Sequence, residues 1–377
     1  MTAAIAIIAG LFAAIFFHEA AHFAAAKAFD MKVTEFFAGF GPRLWSFRRG
    51  ETEYGVKALV PLGGYVKITG MNPVEEIDPA EEHRTYRGKP FWQKSIVVLA
   101  GVMANFVLAF ILIYLVLTVV GTQEVRIEAR VGEVITELDN GDPTPASQAG
   151  LLAGDLIRAV DGVAVGSWGD LLDAIKGQAF QPLRLDFERN GELRSTVLTP
   201  VEITDESGTR GFVGIGRPPP ISTTTVRSGP ISGIVDAAQV YGDTVALSVR
   251  GIGTILWPPN LLNLFGDAVE GRDPGLARPV TPIGLVEAGS DIFDASGWAG
   301  VLFVIAGLNI IVALFNVLPL FPLDGGHFAV ALYEKLRGRP VDIEKLMPLA
   351  VGVIMFFMSL FLLGLWFDIF GPSLDLG

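Results

Sequence analysis

The sequence predicts a polytopic α-helical membrane protein: four transmembrane helices, with an α+β domain inserted between the second and third. Three observations predict it. Hydrophobic residues make up 51% of the 377 and charged residues only 18%, where soluble domains carry about 25% charge; the mean hydropathy is +0.48. The apolar residues gather into four stretches, each near or beyond the roughly 20 residues that cross a bilayer as a helix. Between two of these stretches lies a long segment of ordinary composition with Gly/Pro turns. The absence of Cys excludes a disulfide scaffold, a thiol nucleophile and a thiolate metal site. A formal charge of −12 argues against nucleic acid as a partner and leaves the lipid bilayer as the expected surroundings.

The first stretch, Ala3–Phe17, is uncharged and continues apolar to Ala26, broken only by His18, Glu19 and His22. It defines a first transmembrane helix within 1–29. A cleaved signal peptide would need Lys or Arg ahead of its apolar run, and this segment has none there. Residues 30–94 follow as a loop with β-like runs at Glu53–Val60 and Tyr65–Thr69. Ser95–Gly121, without a charge, is the second helix (95–121). Trp298–Leu323 is also uncharged and lies in the third (298–327). A loop (328–345) leads to Leu346–Phe367, again uncharged, in the fourth helix (346–370). Of the 28 Lys and Arg, 11 fall in 27–94 and four in 324–345, while 13 are spread over the long segment 122–297. Short basic loops stay cytoplasmic. Both termini and the long insert are therefore expected to face outward.

The insert has a readable plan. Val131–Ile135, Leu156–Val160, Leu183–Glu188 and Ser195–Thr199 read as strands and Asp170–Lys176 as a helix. Asn190-Gly191 between the last two strands is a strong hairpin signal. The run Ser147-Gln-Ala-Gly-Leu-Leu-Ala-Gly-Asp-Leu-Ile157, with Val160-Asp-Gly-Val163 just beyond, resembles a bacterial PDZ domain, here assigned to 122–216. Such a domain would bind an extended peptide as an added strand; the alternative is a steric filter over the membrane region. Arg217-Pro-Pro-Pro220 reads as a stiff linker. Ile231–Leu256, apolar on one face but carrying Asp236, Asp243 and Arg250, is expected to lie on the membrane surface within 217–297.

The chemistry sits in the few polar residues of the apolar stretches. His18-Glu19-Ala-Ala-His22 is H-E-x-x-H, whose i, i+4 spacing puts both imidazoles on one helix face, able to share a Zn²⁺ with the adjacent Glu as general base. Two of the four His in the chain lie here. A structural pair of core histidines is the bland alternative, but three ionisable groups inside a membrane helix are expensive unless they function. Catalytic zinc usually takes three protein ligands. The matching third candidate is Asp324, in Asn316-Val-Leu-Pro-Leu-Phe-Pro-Leu-Asp324-Gly-Gly-His327, where prolines break the helix and glycines permit a close turn. The first and third helices run the same way, and His18 lies roughly 22 Å along its helix, so the two sites reach the same face. Asn316 is the candidate donor to the oxyanion, with Asn309 seven residues earlier as a substrate-binding candidate; interhelical hydrogen bonding is the alternative for both. His83, in an acidic loop, and His327 are expected to have no metal role.

Taken together, H-E-x-x-H in a first span, N-x-x-P and L-D-G-G around a third and a PDZ-like insert resemble the site-2 protease family of intramembrane zinc metalloproteases, in its bacterial RseP-like branch. The resemblance implies Zn²⁺ on His18, His22 and Asp324 with Glu19 as base, in the cytoplasmic membrane of a bacterium. It also implies cleavage of single-span membrane proteins, such as anti-sigma factors first trimmed by an upstream site-1 type protease, or signal-peptide remnants. Gly39-Phe-Gly-Pro42 and Pro61-Leu-Gly-Gly-Tyr-Val66 resemble the family's membrane re-entrant β segment. Its edge, with Gly63, Gly64 and Tyr65, is the expected binding place for an unwound substrate strand; a hairpin that merely plugs the site is the alternative. Ala20-Ala21 and Pro-Leu-Phe-Pro depart from the commoner family spellings, at positions that do not ligate. Two other classes stay open: a catalytically inactive membrane-anchored PDZ scaffold or chaperone, and a metal transporter. The intact His/Glu/His/Asp set argues against the first, and the general-base Glu and the lack of an inverted repeat argue against the second.

Overall fold

The computed structural model describes residues 2–71, 75–138, 140–205, 208–219, 222–270, 278, 279, 281–339, 341, 342 and 345–371. It divides into two compact units, Met1–Thr122 with Arg227–Gly377, and Gln123–Val226. Among the described residues four helical stretches are long and apolar enough to cross a membrane: Thr2–Ala28, Phe91–Val120, Asp291–Val317 and Met347–Phe370.

In the first unit, helix α1 (Thr2–Ala28) leads into two long strands, β1 (Val33–Arg49) and β2 (Thr52–Ile68), and then into α2 (Phe91–Leu115). The β pair is richer than the two runs read from sequence. Phe36 faces both Val66 and Tyr54, and Tyr54 in turn also faces Phe47. Each strand is thus bent back on itself, giving a ribbon four segments wide in the order 64–68, 33–38, 52–56, 45–49. Segment 64–68 is an edge of that ribbon, and an edge leaves backbone N–H and C=O groups unpaired. Aromatic contacts stiffen the ribbon, with Tyr65 stacked between Phe37 and Phe40. Helix α2 ends in a π-helical turn, Val116–Val120.

The second unit contains, in chain order, β3 (Thr122–Arg126), β4 (Glu133–Val134), α3 (Pro145–Gln148), β5 (Leu156–Val160), β6 (Val163–Ala164), α4 (Trp168–Lys176), β7 (Leu183–Arg189), β8 (Glu192–Leu198), β9 (Val201–Asp205), β10 (Gly208–Phe212), β11 (Ile215–Gly216) and β12 (Ser222–Val226). The central sheet runs β6-β5-β7-β8, and Trp168, Leu171 and Ile175 of α4 pack in one core with Ile157, Leu183, Leu185 and Phe187. Asn190 and Gly191 take positive φ (54° and 83°), the backbone a two-residue hairpin needs. Ser167 and Asp170 form a reciprocal cap on α4. The unit extends past the expected limit at 216, because β12 returns to pair with β3. Of the linker read at 217–220, Pro220 lies outside the described residues.

The chain then continues as α5 (Ser232–Leu256), α6 (Pro258–Glu270), α7 (Pro282–Val317, broken at Gly297), α8 (Asp324–Arg337) and α9 (Met347–Phe370). Helices α1, α2 and α7 form the centre of the first unit. Ile7 packs with Val301 and Ile305, and Ala109 and Ile113 with Ala306 and Ile310, small residues letting the helices approach closely. Two expectations need correction. The helix expected on the membrane surface, α5, lies lengthwise along α2: Gly233 approaches Thr118, Tyr241 meets the Phe110 ring, and Ala237 is fully buried. Its apolar face covers two spans, which a hydropathy reading of its three charges does not reveal. The region expected as a loop, 328–345, is helical to Arg337, and Asp324 opens this new helix rather than ending the third span. Phe328 packs on Phe91, Glu334 pairs with Lys94 at 3.5 Å, and Gly338 stops the helix at φ 67°.

Candidate metal centre

Three elements converge on the centre. Helix α1 presents His18 and His22 one turn apart, both nearly buried (7% and 5% exposed). Helix α8 presents Asp324 in its first turn, where a carboxylate suits the positive end of the helix. The intervening segment, 318–323, is irregular, carrying Pro319 and Pro322. The two following glycines let it fold back: a Cβ on Gly325 would lie 2.2 Å from Val317 O, and one on Gly326 2.4 Å from Phe321 N. No side chain fits at either position, so the pair sets how tightly Asp324 is drawn back to α7.

The ligand atoms form a small triangle. Asp324 Oδ2 lies 3.0 Å from His18 Nε2 and 3.3 Å from His22 Nε2, and the two Nε2 atoms are 3.1 Å apart. A tetrahedral ion with bonds of about 2.0–2.1 Å requires ligand separations of about 3.3 Å. Among the described residues this is the one cluster of three His, Asp or Glu suited to a metal. Proton accounting points the same way. His22 Nδ1 lies 2.7 Å from Val97 O; a carbonyl only accepts, so Nδ1 holds the proton of a neutral ring and Nε2 offers a lone pair. Asp324 Oδ2 is buried against both imidazole Nε2 atoms. A buried carboxylate oxygen facing the His22 lone pair out of water calls for a cation.

Glu19 is half-buried beside this triangle, next to the β-ribbon edge. Gly64 is part of that approach, since a Cβ there would sit 3.6 Å from Glu19 Cγ. A cavity of about 480 Å³ runs along the same edge, lined by Tyr65, Val66 and Lys67 on one side and Phe321 and His327 on the other. The Tyr65 hydroxyl donates to Glu35 within the ribbon, and Gly63 (φ 130°) packs on Phe40. Asn316 and Asn309 donate to carbonyls of their own helix, Val312 O at 3.1 Å and Ile305 O at 2.8 Å. Neither has a described hydrogen bond to the triangle. His83 is exposed, and His327 stacks edge-on with Phe321.

Two residues of α2 were missed in the sequence. A Cβ on Gly101 would stand 2.4 Å from His22 Nε2, so α2 lies directly against the imidazoles. Asn105, fully buried, has Nδ2 3.4 Å from His18 Nδ1. The signal was present: Asn105 is the one Asn in an apolar helix, and polar groups at membrane depth are rare without a purpose.

The comparisons with known proteins give metalloproteases. The pattern for peptidase family M50 matches residues 6–362. The zinc metalloprotease Rip1 of Mycobacterium tuberculosis H37Rv is 33% identical, over 94% of this chain and 94% of its own. The membrane metalloprotease ARASP of Arabidopsis thaliana chloroplasts is 30% identical over 94% of this chain and 76% of its own, and zinc metalloprotease RasP of Geobacillus kaustophilus 26% over 88% and 89%. A solved PDZ domain of an SdrC-like protein from Listeria monocytogenes, 22% identical, aligns with a TM-score of 0.20 over 25% of this chain and 92% of its own. With its motif helices matched within a family pattern that spans nearly its whole length, the chain belongs to peptidase family M50, the site-2 protease family its motifs resemble.

Proposed function

We propose that this integral membrane zinc metalloendopeptidase cleaves the transmembrane segment of single-span membrane proteins, with His18, His22 and Asp324 as zinc ligands and Glu19 as general base. The observation that carries it is the triangle of Nε2, Nε2 and Oδ2 at 3.0–3.3 Å with a carboxylate beside it. When bound, zinc polarises the scissile carbonyl and makes water acidic enough to lose a proton near neutral pH. Glu19 takes that proton and returns it to the leaving amide nitrogen. Burial of the His/Asp set keeps competing water away from the ligands. One N–H of the Asn316 amide holds Val312 O; the other is the donor to the developing oxyanion. Asn309 supports the same helix face.

A helical substrate hides its amides, so it must unwind before attack. The ribbon edge 64–68 receives the unwound stretch as an added strand beside Glu19, with Gly64 keeping the approach clear and Gly63 and Tyr65 shaping the ribbon. The distribution of Lys and Arg supports a centre near the cytoplasmic side and the insert, a PDZ domain, outside. Substrates of this kind include anti-sigma factors trimmed by a site-1 type protease and signal-peptide remnants. The test is incubation of the purified protein in detergent with a single-span substrate, before and after zinc removal by a chelator. Cleavage inside the apolar segment that stops on chelation and returns with zinc supports the reading. Cleavage confined to the soluble parts of the substrate, or indifferent to zinc, refutes it.

A further inference from the structure

Helix α2 faces α1 through three residues spaced four apart: Val97, Gly101 and Asn105. Opposite them are the two imidazoles, also four apart. Val97 O meets His22 Nδ1 at 2.7 Å, Gly101 leaves room for both rings, and Asn105 meets His18 Nδ1 at 3.4 Å. The two histidines therefore each have one dedicated polar partner on the same strip of α2. For His22 the partner is a carbonyl, which can only accept and so leaves Nε2 free for a metal. For His18 the partner is an amide, which can either donate or accept.

The two ends of that amide correspond to two states of His18. With Nδ2 toward the ring, as found, Asn105 donates to Nδ1, and the ring proton belongs on Nε2, which lies 3.0 Å from Asp324 Oδ2. A half-turn of the nearly isosteric amide brings Oδ1, which is buried and without a partner, to the same place. It then accepts from Nδ1–H, and Nε2 presents a lone pair. Resting on the zinc-peptidase reading above, we infer that Asn105 is a positioning residue whose Oδ1 accepts the His18 Nδ1 proton when the metal is held, fixing the tautomer and ring orientation as Val97 O does for His22. Such outer partners raise ligand basicity and hold ring geometry, and their loss typically lowers metal affinity 10–100-fold.

The test compares Asn105→Leu, Asn105→Ala and Asn105→Asp in the full chain in detergent. Zinc affinity is read by competition with a chromogenic chelator, the ligand field by the absorption spectrum of the cobalt(II)-substituted protein, and folding by melting temperature. Removing the acceptor with Leu or the smaller Ala should weaken zinc about 10–100-fold and alter the cobalt spectrum at near wild-type melting temperature. Asp, which keeps an acceptor, should restore tight zinc. A residue that merely fills space gives the opposite order, because Leu is tolerated in an apolar helix and Asp buries a charge. Equal zinc affinity in wild type, Leu and Ala, or loss with Asp alone, overturns the assignment of Asn105 while leaving the protease reading intact. Wild-type protein that holds no zinc overturns both.

Discussion

Replacing Gly101 by alanine adds one methyl group directly against the two imidazoles. Its Cβ would fall 2.4 Å from His22 Nε2 and 2.8 Å from His18 Cε1, where ordinary contact begins at 3.4 Å. One of the helices or rings must retreat by about 1 Å, several times the roughly 0.2 Å tolerance of a metal–ligand bond. His22 cannot simply turn away, because Val97 O holds its Nδ1 one helical turn earlier. Overpacking of this kind costs about 1–3 kcal/mol of stability, and a misplacement near 1 Å can lower a rate roughly 10²-fold. The assay is zinc per protein after gel filtration, cleavage rate of a single-span substrate, and melting temperature in one detergent. Gly101→Ala should lose most of its zinc and at least roughly 10²-fold in rate while remaining folded. Zinc content and rate within twofold of wild type would mean that α2 does not lie against the two imidazoles.

Asp324→Ala should lower zinc affinity at least tenfold, measured by the same chelator competition, because two imidazoles remain where three ligands stood; unchanged affinity puts the third ligand elsewhere. In the second unit, Asp155 is nearly fully buried (1% exposed) and bound by Arg189 at 2.6 Å and by Leu152 N at 2.8 Å. Asp155→Ala should cost about 3 kcal/mol, read by chemical denaturation of the full chain, and a change below about 1 kcal/mol contradicts that role. Arg84, with Lys27 assisting, holds the Glu51 carboxyl below its ordinary range. A depressed carboxylate contributes stability above its unfolded pKa and loses it as pH falls through the folded value. The melting temperature of wild type should therefore drop on acidification below the ordinary carboxylate range more than that of Glu51→Gln; parallel profiles remove Glu51 as a contributor.

Much of this molecule is written in short-range patterns. The i, i+4 histidines need only a helix to share a face, and an apolar run of membrane length supplies one. The Asp-Gly-Gly sequence marks a tight return because nothing larger than hydrogen fits against Val317 O. Asn190-Gly191 sets its hairpin through backbone preference alone. What stayed illegible depends on distant partners. Segment 33–49 pairs with residues on both flanks of β2, and no local alternation reports such a double register. The packing of α5 on α2 rests on Ala237 and Tyr241 meeting particular surfaces, so its charges misled. Gly101 and Asn105 look like ordinary members of a span until the opposite helix is in place, although a lone Asn at that depth is a legible flag.

The decisive comparison is wild type against Glu19→Gln, purified in the same detergent, with zinc quantified and fragments of a single-span substrate mapped by mass spectrometry. Glu19 lies beside the metal triangle and is not one of its three ligands, so the variant should keep its zinc while losing roughly 10²–10⁴-fold in cleavage within the apolar segment. Equal cleavage by the two proteins at equal zinc content would contradict Glu19 as the base and, with it, this centre as the site of peptide hydrolysis.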